Sequence, residues 1–447
     1  MAYQDFNMDN QWLPFTPNRH FKKDPRVFVA ADGMEFTTHD GQKVIDGISS
    51  LWCVGAGHNR KPINEAIKKQ LDTLDYATAF QVSNDKAFKA AEMIAALAPG
   101  DLNKVLFCNS GSEAADTSMK VALAYHRARG EGHRNVFIGR EKGYHGVGFG
   151  GMSVGGIPGN RKVFGSAFLP RVDHMRFIHD PVNHAYIHNE EPVWAEDPLV
   201  ELETRILPLH DPSNIAAIIV EPVAGSAGWY LPPKGYLQKL RAICDKHGIL
   251  LIFDEVITGF GRMGTNFASD YYGVVPDMLN FAKCVTNGVI PLGGVICRDK
   301  LYDAMMKTDA PEHVVEFFHG YTYSGHPVAC AAAIATLDLF KEENLFARAG
   351  ENGQGAGRCL PQHLQGSAER DQHPQPRPRR GGGAGTHRGH AGQARLRHLL
   401  GLLPQRRAGA ARGRRAGDSA AVHRGEVTHR HAGEHAGGCD QEARLSE

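Results

Sequence analysis

The chain has 447 residues, a formal charge of +1, 42% hydrophobic and 22% charged residues. That length buries a large core and suits more than one domain, and the near-neutral charge gives no global pull toward nucleic acid or a membrane surface. No apolar run approaches the ~18 residues of a membrane span, no signal peptide is visible, and the eight cysteines form no C-x-x-C pair, so a cytoplasmic enzyme with reduced thiols is expected.

From about residue 25 to about residue 349 the pattern is that of an α/β protein. Short apolar runs that do not clearly alternate, such as Val105-Leu106-Phe107, Ala217 to Val220 and Leu250 to Phe253, predict strands buried on both faces of a mostly parallel sheet. Longer amphipathic stretches, Ala87 to Leu97, Gly235 to Lys246 and Ala329 to Phe340, predict helices that cover it.

Four segments carry chemistry, each predicted as a strand that ends in functional side chains, where open α/β sheets place ligands. In the first, Phe107 to Asp116, a strand enters a Ser110-Gly111-Ser112 turn and then a helix, which makes an anion site for a phosphate. The plainer alternative is a helix cap, with Ser112 as the capping residue. In the second, Gly143-Tyr144-His145-Gly146, a tyrosine between glycines offers its ring to a planar cofactor, although such a ring more often simply packs. The third, Leu250 to Val256, ends a buried strand on Asp254, and a buried carboxylate needs a positive partner, either a protonated pyridine nitrogen or an ordinary capped or ion-paired site. The fourth, Asn280 to Gly288, holds Lys283 among apolar residues. Desolvation there favours the nucleophilic amine, against the plainer reading of a lysine whose head reaches water.

Gly259-Phe260-Gly261-Arg262-Met263-Gly264 matches G-x-G-x-x-G, but no early βαβ unit surrounds it, which argues against a dinucleotide site. The histidines show no zinc-ligand spacing, and nine of the 24 lie beyond residue 350. Beyond Gly350 there is no Lys, Ile, Phe, Tyr, Trp or Met, and Arg, Gly, Ala, His, Pro and Gln take over. One reading is a basic disordered tail that binds nucleic acid. The other is a GC-rich gene read in a shifted frame, favoured by the abrupt change and by the missing lysines.

Taken in order, the segments resemble class III (ω-amino acid) aminotransferases of fold type I, from about Trp12 to Phe346. The most specific piece is Phe253 to Arg262 followed by Lys283. Within that family, Trp12 to Thr16, Leu51 to His58 and His319 to Pro327 look most like the β-alanine–pyruvate branch. The resemblance implies pyridoxal 5′-phosphate (PLP) as cofactor. Lys283 would attach it covalently and move the substrate proton, and Asp254 would pair with the pyridine nitrogen. Val256 and Tyr144 would sandwich the ring. Ser110, Gly111 and Ser112 would meet the phosphate, with His145 and Glu221 beside the cofactor and Trp52 and Tyr144 in the substrate pocket. Thr322 would come from a neighbouring subunit, in a homodimer or a tetramer.

The implied reaction is a ping-pong exchange through pyridoxamine phosphate, with an ω-amino acid or primary amine as donor and pyruvate as acceptor. Other class III reactions stay open: 4-aminobutyrate, putrescine or taurine transamination, or an aminomutase. The implied layout is residues 1–58 with the small domain, 59–330 as the large PLP-binding domain, 331–349 as the start of the C-terminal small domain, and 350–447 as the aberrant tail. In the family a C-terminal arginine binds the substrate carboxylate, and no motif here matches it. Neither nucleic acid nor membrane is an expected partner.

Overall fold

The computed structural model describes residues 7–178, 198–307 and 309–359, all within the first of the chain's two units, Met1–His373. The expectations for the tail lie outside the described residues beyond Cys359. The helix Leu345–Cys359 runs past the compositional break at residue 350.

Two sheets organise these residues. The N-terminal one is a small antiparallel meander of β1 (Phe28–Asp32), β2 (Glu35–Thr38) and β3 (Lys43–Ile45). The central one has seven strands: β4 (Leu102–Cys108), β5 (Val136–Arg140), β6 (Val172–Met175), β7 (Ile215–Val220), β8 (Leu250–Asp254), β9 (Met278–Phe281) and β10 (Gly293–Arg298). Their spatial order is β4-β10-β9-β8-β7-β5-β6. Only β10 runs against the others, so six strands point their C-terminal ends at one edge. A mostly parallel sheet was expected, and that is the arrangement found.

The apolar runs form strands because both faces are covered. On β7, Ile218 and Val220 pack with Leu237, Leu240 and Phe253, while Ala217 and Ile219 pack with Met119, Ile252 and Met278 on the other side. Each such buried aliphatic side chain contributes about 1.5–3 kcal/mol relative to exposure. Helix Tyr236–His247 lies with the first group and helix Gly111–Ala128 with the second. A third cluster joins Phe107, Phe281 and Ile296 of the sheet to Ala329, Leu337 and Phe340 of helix Pro327–Glu342.

Because β10 is reversed, its first residues lie beside the last residues of its neighbours: Gly293 opposite Cys108 and Gly294 opposite Phe281. A Cβ on Gly293 would sit 2.7 Å from the Ser110 carbonyl, and one on Gly294 would sit 2.6 Å from the Phe281 ring. Only glycine lets the two flanking strand ends come this close.

Candidate active site

The six co-directed strand ends open into a cleft lined by Gly111, Ser112, Tyr144, His145, Gly146, Glu221, Val223, Asp254, Val256, Ile257, Ala282 and Lys283. Residues from five separate parts of the sequence thus meet at one edge of the sheet, as a parallel arrangement demands.

At one end of the cleft, β4 turns into helix Gly111–Ala128. Ser110 is the cap: its side chain accepts from the Glu113 N–H (3.2 Å), while the Glu113 carboxylate accepts from the Asn109 N–H (2.7 Å). This reciprocal pair satisfies two otherwise orphaned donors. The capping reading placed on Ser112 is therefore corrected. Ser112 accepts instead from the Val147 N–H (3.1 Å), which ties the helix start to the Tyr144 loop. Gly146 closes that contact, with φ +91° and no room for a Cβ against Ser112. The free N–H groups and the dipole of this 18-residue helix point at the Gly111–Ser112 end of the cleft.

In the middle, Asp254 ends β8 in a buried position. One oxygen receives His145 Nδ1–H (2.8 Å), and the other accepts from the Val256 N–H (3.2 Å). The donor role of Nδ1 follows from the acceptor being a carboxylate. His145 Nε2 is buried and has no partner. Glu221 follows β7, also buried, and its carboxylate accepts from the N–H groups of Tyr144 and Gly225, both at 3.0 Å. Burial pushes the Glu221 carboxyl above its ordinary value, with His145 and Arg140 pulling the other way. Tyr144 is likewise raised, by burial and by the Asp254 charge.

At the far end, Lys283 begins a one-turn helix after β9 in a left-handed conformation, φ +55°. For a residue with a side chain this costs about 1–2 kcal/mol, the kind of strain that gathers at functional sites. Burial pulls its ammonium below the usual lysine range, against the opposing charges of Asp254 and others.

Three expected site residues stand apart from the cleft lining. Thr322 is exposed, its carbonyl accepting from the Tyr76 hydroxyl (2.9 Å). Trp52 ends a turn, Ser49–Trp52, in which all four residues have positive φ. Its carbonyl accepts from Arg262 Nη2 (3.1 Å) and Cys284 Sγ (3.2 Å), so it is anchored beside Lys283's neighbour. Ser110 also lies off the cleft wall, occupied as a cap. The G-x-G-x-x-G stretch forms turns with Phe260 in the core, and no helix starts in it. No metal-holding cluster occurs among the described residues.

The residue set fits PLP. A helix N-terminus suits the phosphate, a buried carboxylate without a full cationic partner suits a pyridinium, and the half-buried amine of Lys283 lies in the same cleft. Tyr144 and Val256 supply flanking surfaces for a ring. Sequence reasoning missed Arg140, fully buried behind this wall, as well as Val223, Ile257 and Ala282 in the lining. Only the apolar character of the last three was visible, and that signals core as readily as pocket.

The fold and site are those of a fold type I PLP-dependent enzyme, and residues 18–385 match the family model described as aminotransferase class-III. The chain belongs to that family of PLP-dependent aminotransferases. It is 54% identical over 344 residues to an ω-aminotransferase of Caulobacter vibrioides, covering 77% of each chain. To a β-alanine–pyruvate aminotransferase of Pseudomonas aeruginosa it is 52% identical over 347 residues, covering 78% of this chain and 77% of the other. Among solved structures, a thermostable (S)-enantioselective ω-transaminase from Thermomicrobium roseum aligns with TM-score 0.72 and 34% identity, covering 80% of this chain and 77% of that one. A PLP-bound amine transaminase from an uncultivated Pseudomonas species aligns with TM-score 0.72 and 36% identity, covering 81% of both.

Proposed function

We propose that the protein transfers the amino group of an ω-amino acid of the β-alanine kind, or of a primary amine, to pyruvate in a ping-pong cycle. The observation that carries this is that the half-buried amine of Lys283 and the buried carboxylate of Asp254 share one cleft with a helix N-terminus at its end. The donor and acceptor classes are supported by the relatives named above, which include a β-alanine–pyruvate aminotransferase.

When bound, PLP supplies the covalent carrier for the amino group and the electron sink for the substrate carbanion. Lys283 would hold it covalently and, as the free amine, would carry the proton taken from the substrate carbon. Burial lowers its proton affinity below the usual lysine range, which favours the free amine as a base. Asp254 would keep a pyridine nitrogen protonated, and His145 fixes the direction of that carboxylate. Tyr144 and Val256 hold the ring between them and keep water off its faces. Ser112 and the N–H groups after it take the phosphate. Glu221 would stand near the ring's oxygen, and it orients Tyr144 through its backbone. Trp52 limits the donor pocket from its anchored turn.

We further propose that two chains form the working unit, with Thr322 reaching a partner's cleft. Its exposure on the segment after His319 supports this. The substrate-carboxylate arginine is assigned to no residue.

The test is a half-reaction. Protein loaded with PLP and given β-alanine without pyruvate should release one equivalent of aldehyde per subunit and stop. Added pyruvate should yield alanine and restart turnover. Continuous product release without an acceptor rules the transaminase reading out, and no release at all rules out β-alanine as the donor.

A further inference from the structure

Arg140, the last residue of β5, heads the fully buried side chains of the described residues by size. Its Nη2 donates to the main-chain carbonyl of Glu221 (2.9 Å), while Nε and Nη1 have no hydrogen-bond partner. A permanent charge held this deep is costly unless an opposite charge lies nearby.

The charged and titratable groups that face the Glu221 carboxyl are Arg140 on β5, Tyr144 and His145 on the loop after it, Asp254 on β8 and Lys283 after β9. Asp254 is taken up by His145 and, under the function proposed above, by the pyridine nitrogen. Lys283 is consumed in attaching the cofactor. Glu221 and Arg140 are then the two remaining opposite charges, on neighbouring strands and linked through Glu221's own carbonyl.

We propose that Arg140 is the counter-charge of Glu221 and, through it, a positioning residue for the cofactor wall. An ionised Glu221 accepts the N–H groups of Tyr144 and Gly225 together, which fixes the ring-bearing loop and the turn after β7 in one geometry. A neutral carboxyl keeps one strong acceptor and offers a hydroxyl where the second N–H points. The charge pairing holds whatever the substrate is; the positioning rests on the cleft being the cofactor site.

Burial already raises the Glu221 carboxyl, and Arg140 opposes that rise. Removing Arg140 raises it further. A carboxyl whose folded-state value lies above its unfolded value loses its stabilising contribution as pH climbs through the folded value. The deficit of Arg140→Met relative to wild type must therefore be small at pH 5 and grow toward pH 8. A lost packing contact alone gives a deficit without that slope.

The experiment is thermal unfolding of the holoenzyme from pH 5 to pH 8 for wild type, R140M, R140K, E221Q and R140M/E221Q, with PLP retention on dialysis measured alongside. R140M should lose roughly 5–10 °C in Tm at pH 8 and clearly less at pH 5. The double variant should recover at least half of that loss and show no slope, and R140K should keep the wild-type slope. PLP should bind at least about tenfold more weakly to R140M, and E221Q in the double variant should not restore it, because the carboxylate is gone. A pH-independent deficit, additive losses, or a double variant that fails to fold wherever R140M fails overturns the charge pairing. Coupled stability with unchanged PLP retention overturns the positioning role. Failure of the transaminase reading is registered separately, by the half-reaction.

Discussion

The two sheets of this protein handle the same problem in opposite ways. In the central sheet, β7, β8 and β9 are buried at every position and their ends carry the charged groups. In the N-terminal sheet, β1 reads exposed at four of its five positions, and Phe28, Val29 and Ile45 stand open to solvent. Chemistry is placed where backbone and neighbours are over-determined, so that an amine and a carboxylate keep their geometry out of water. The N-terminal meander carries no candidate site residue.

The comparison predicts a descending series of effects. Lys283→Ala should reduce turnover by roughly ten-thousandfold, since general base catalysis alone contributes up to that factor. Borohydride reduction should then leave no cofactor mass on the peptide around residue 283. Asp254→Asn should cost roughly a hundredfold or more in kcat while the fold stays intact, read by steady-state kinetics beside circular dichroism. Leu251→Ala, in the buried face of β8, should lower unfolding free energy by about 2–5 kcal/mol in denaturant titration.

Glu255 comes next. Fully buried beside Asp254, it accepts from the Ser269 N–H (2.8 Å), the Ala268 N–H and the Thr258 hydroxyl (3.0 Å), and burial pushes its carboxyl up to about 7. Its stabilising contribution is full below the unfolded value near 4.5 and fades as pH rises through about 7. Glu255→Gln should lower Tm by a few degrees and flatten that part of the pH–stability profile; an unchanged slope would show that Glu255 does not titrate there. Smallest of all, Ile45→Ser in the N-terminal sheet should stay within about 0.5 kcal/mol of wild type, and a core-sized loss would erase the contrast between the two sheets.

Much of this was legible in the sequence. The runs ending in Asp254 and Lys283 read correctly because strand burial and a charged terminus leave a local signature, and the helices over Ala87 to Leu97 and Ala329 to Phe340 followed from periodicity. Other features depend on contacts distant in sequence. Arg140 and Glu221 meet only because β5 and β7 are neighbours. The reversal of β10 has no local mark in Gly293 to Arg298, whose apolar run suits either direction. Ser110 rather than Ser112 became the cap because Val147 claims the Ser112 hydroxyl, a contact made through a separate loop. The left-handed turn at Ser49–Trp52 contains no glycine to announce it. It is held by Asp46, which accepts from the Ser50 N–H (3.0 Å), and by Arg262.

The glycine pair that opens β10 acts as a gauge block. With bare backbone at Gly293 and Gly294, the Ser110 carbonyl of the turn after β4 and the Phe281 ring at the end of β9 close over β10 where a side chain would otherwise stand. Each neighbour then sits one strand width away, a distance that hydrogen bonding fixes at about 4.8 Å. The separation of the cleft's two ends is thus inherited from the sheet itself, whatever side chains stand around its mouth.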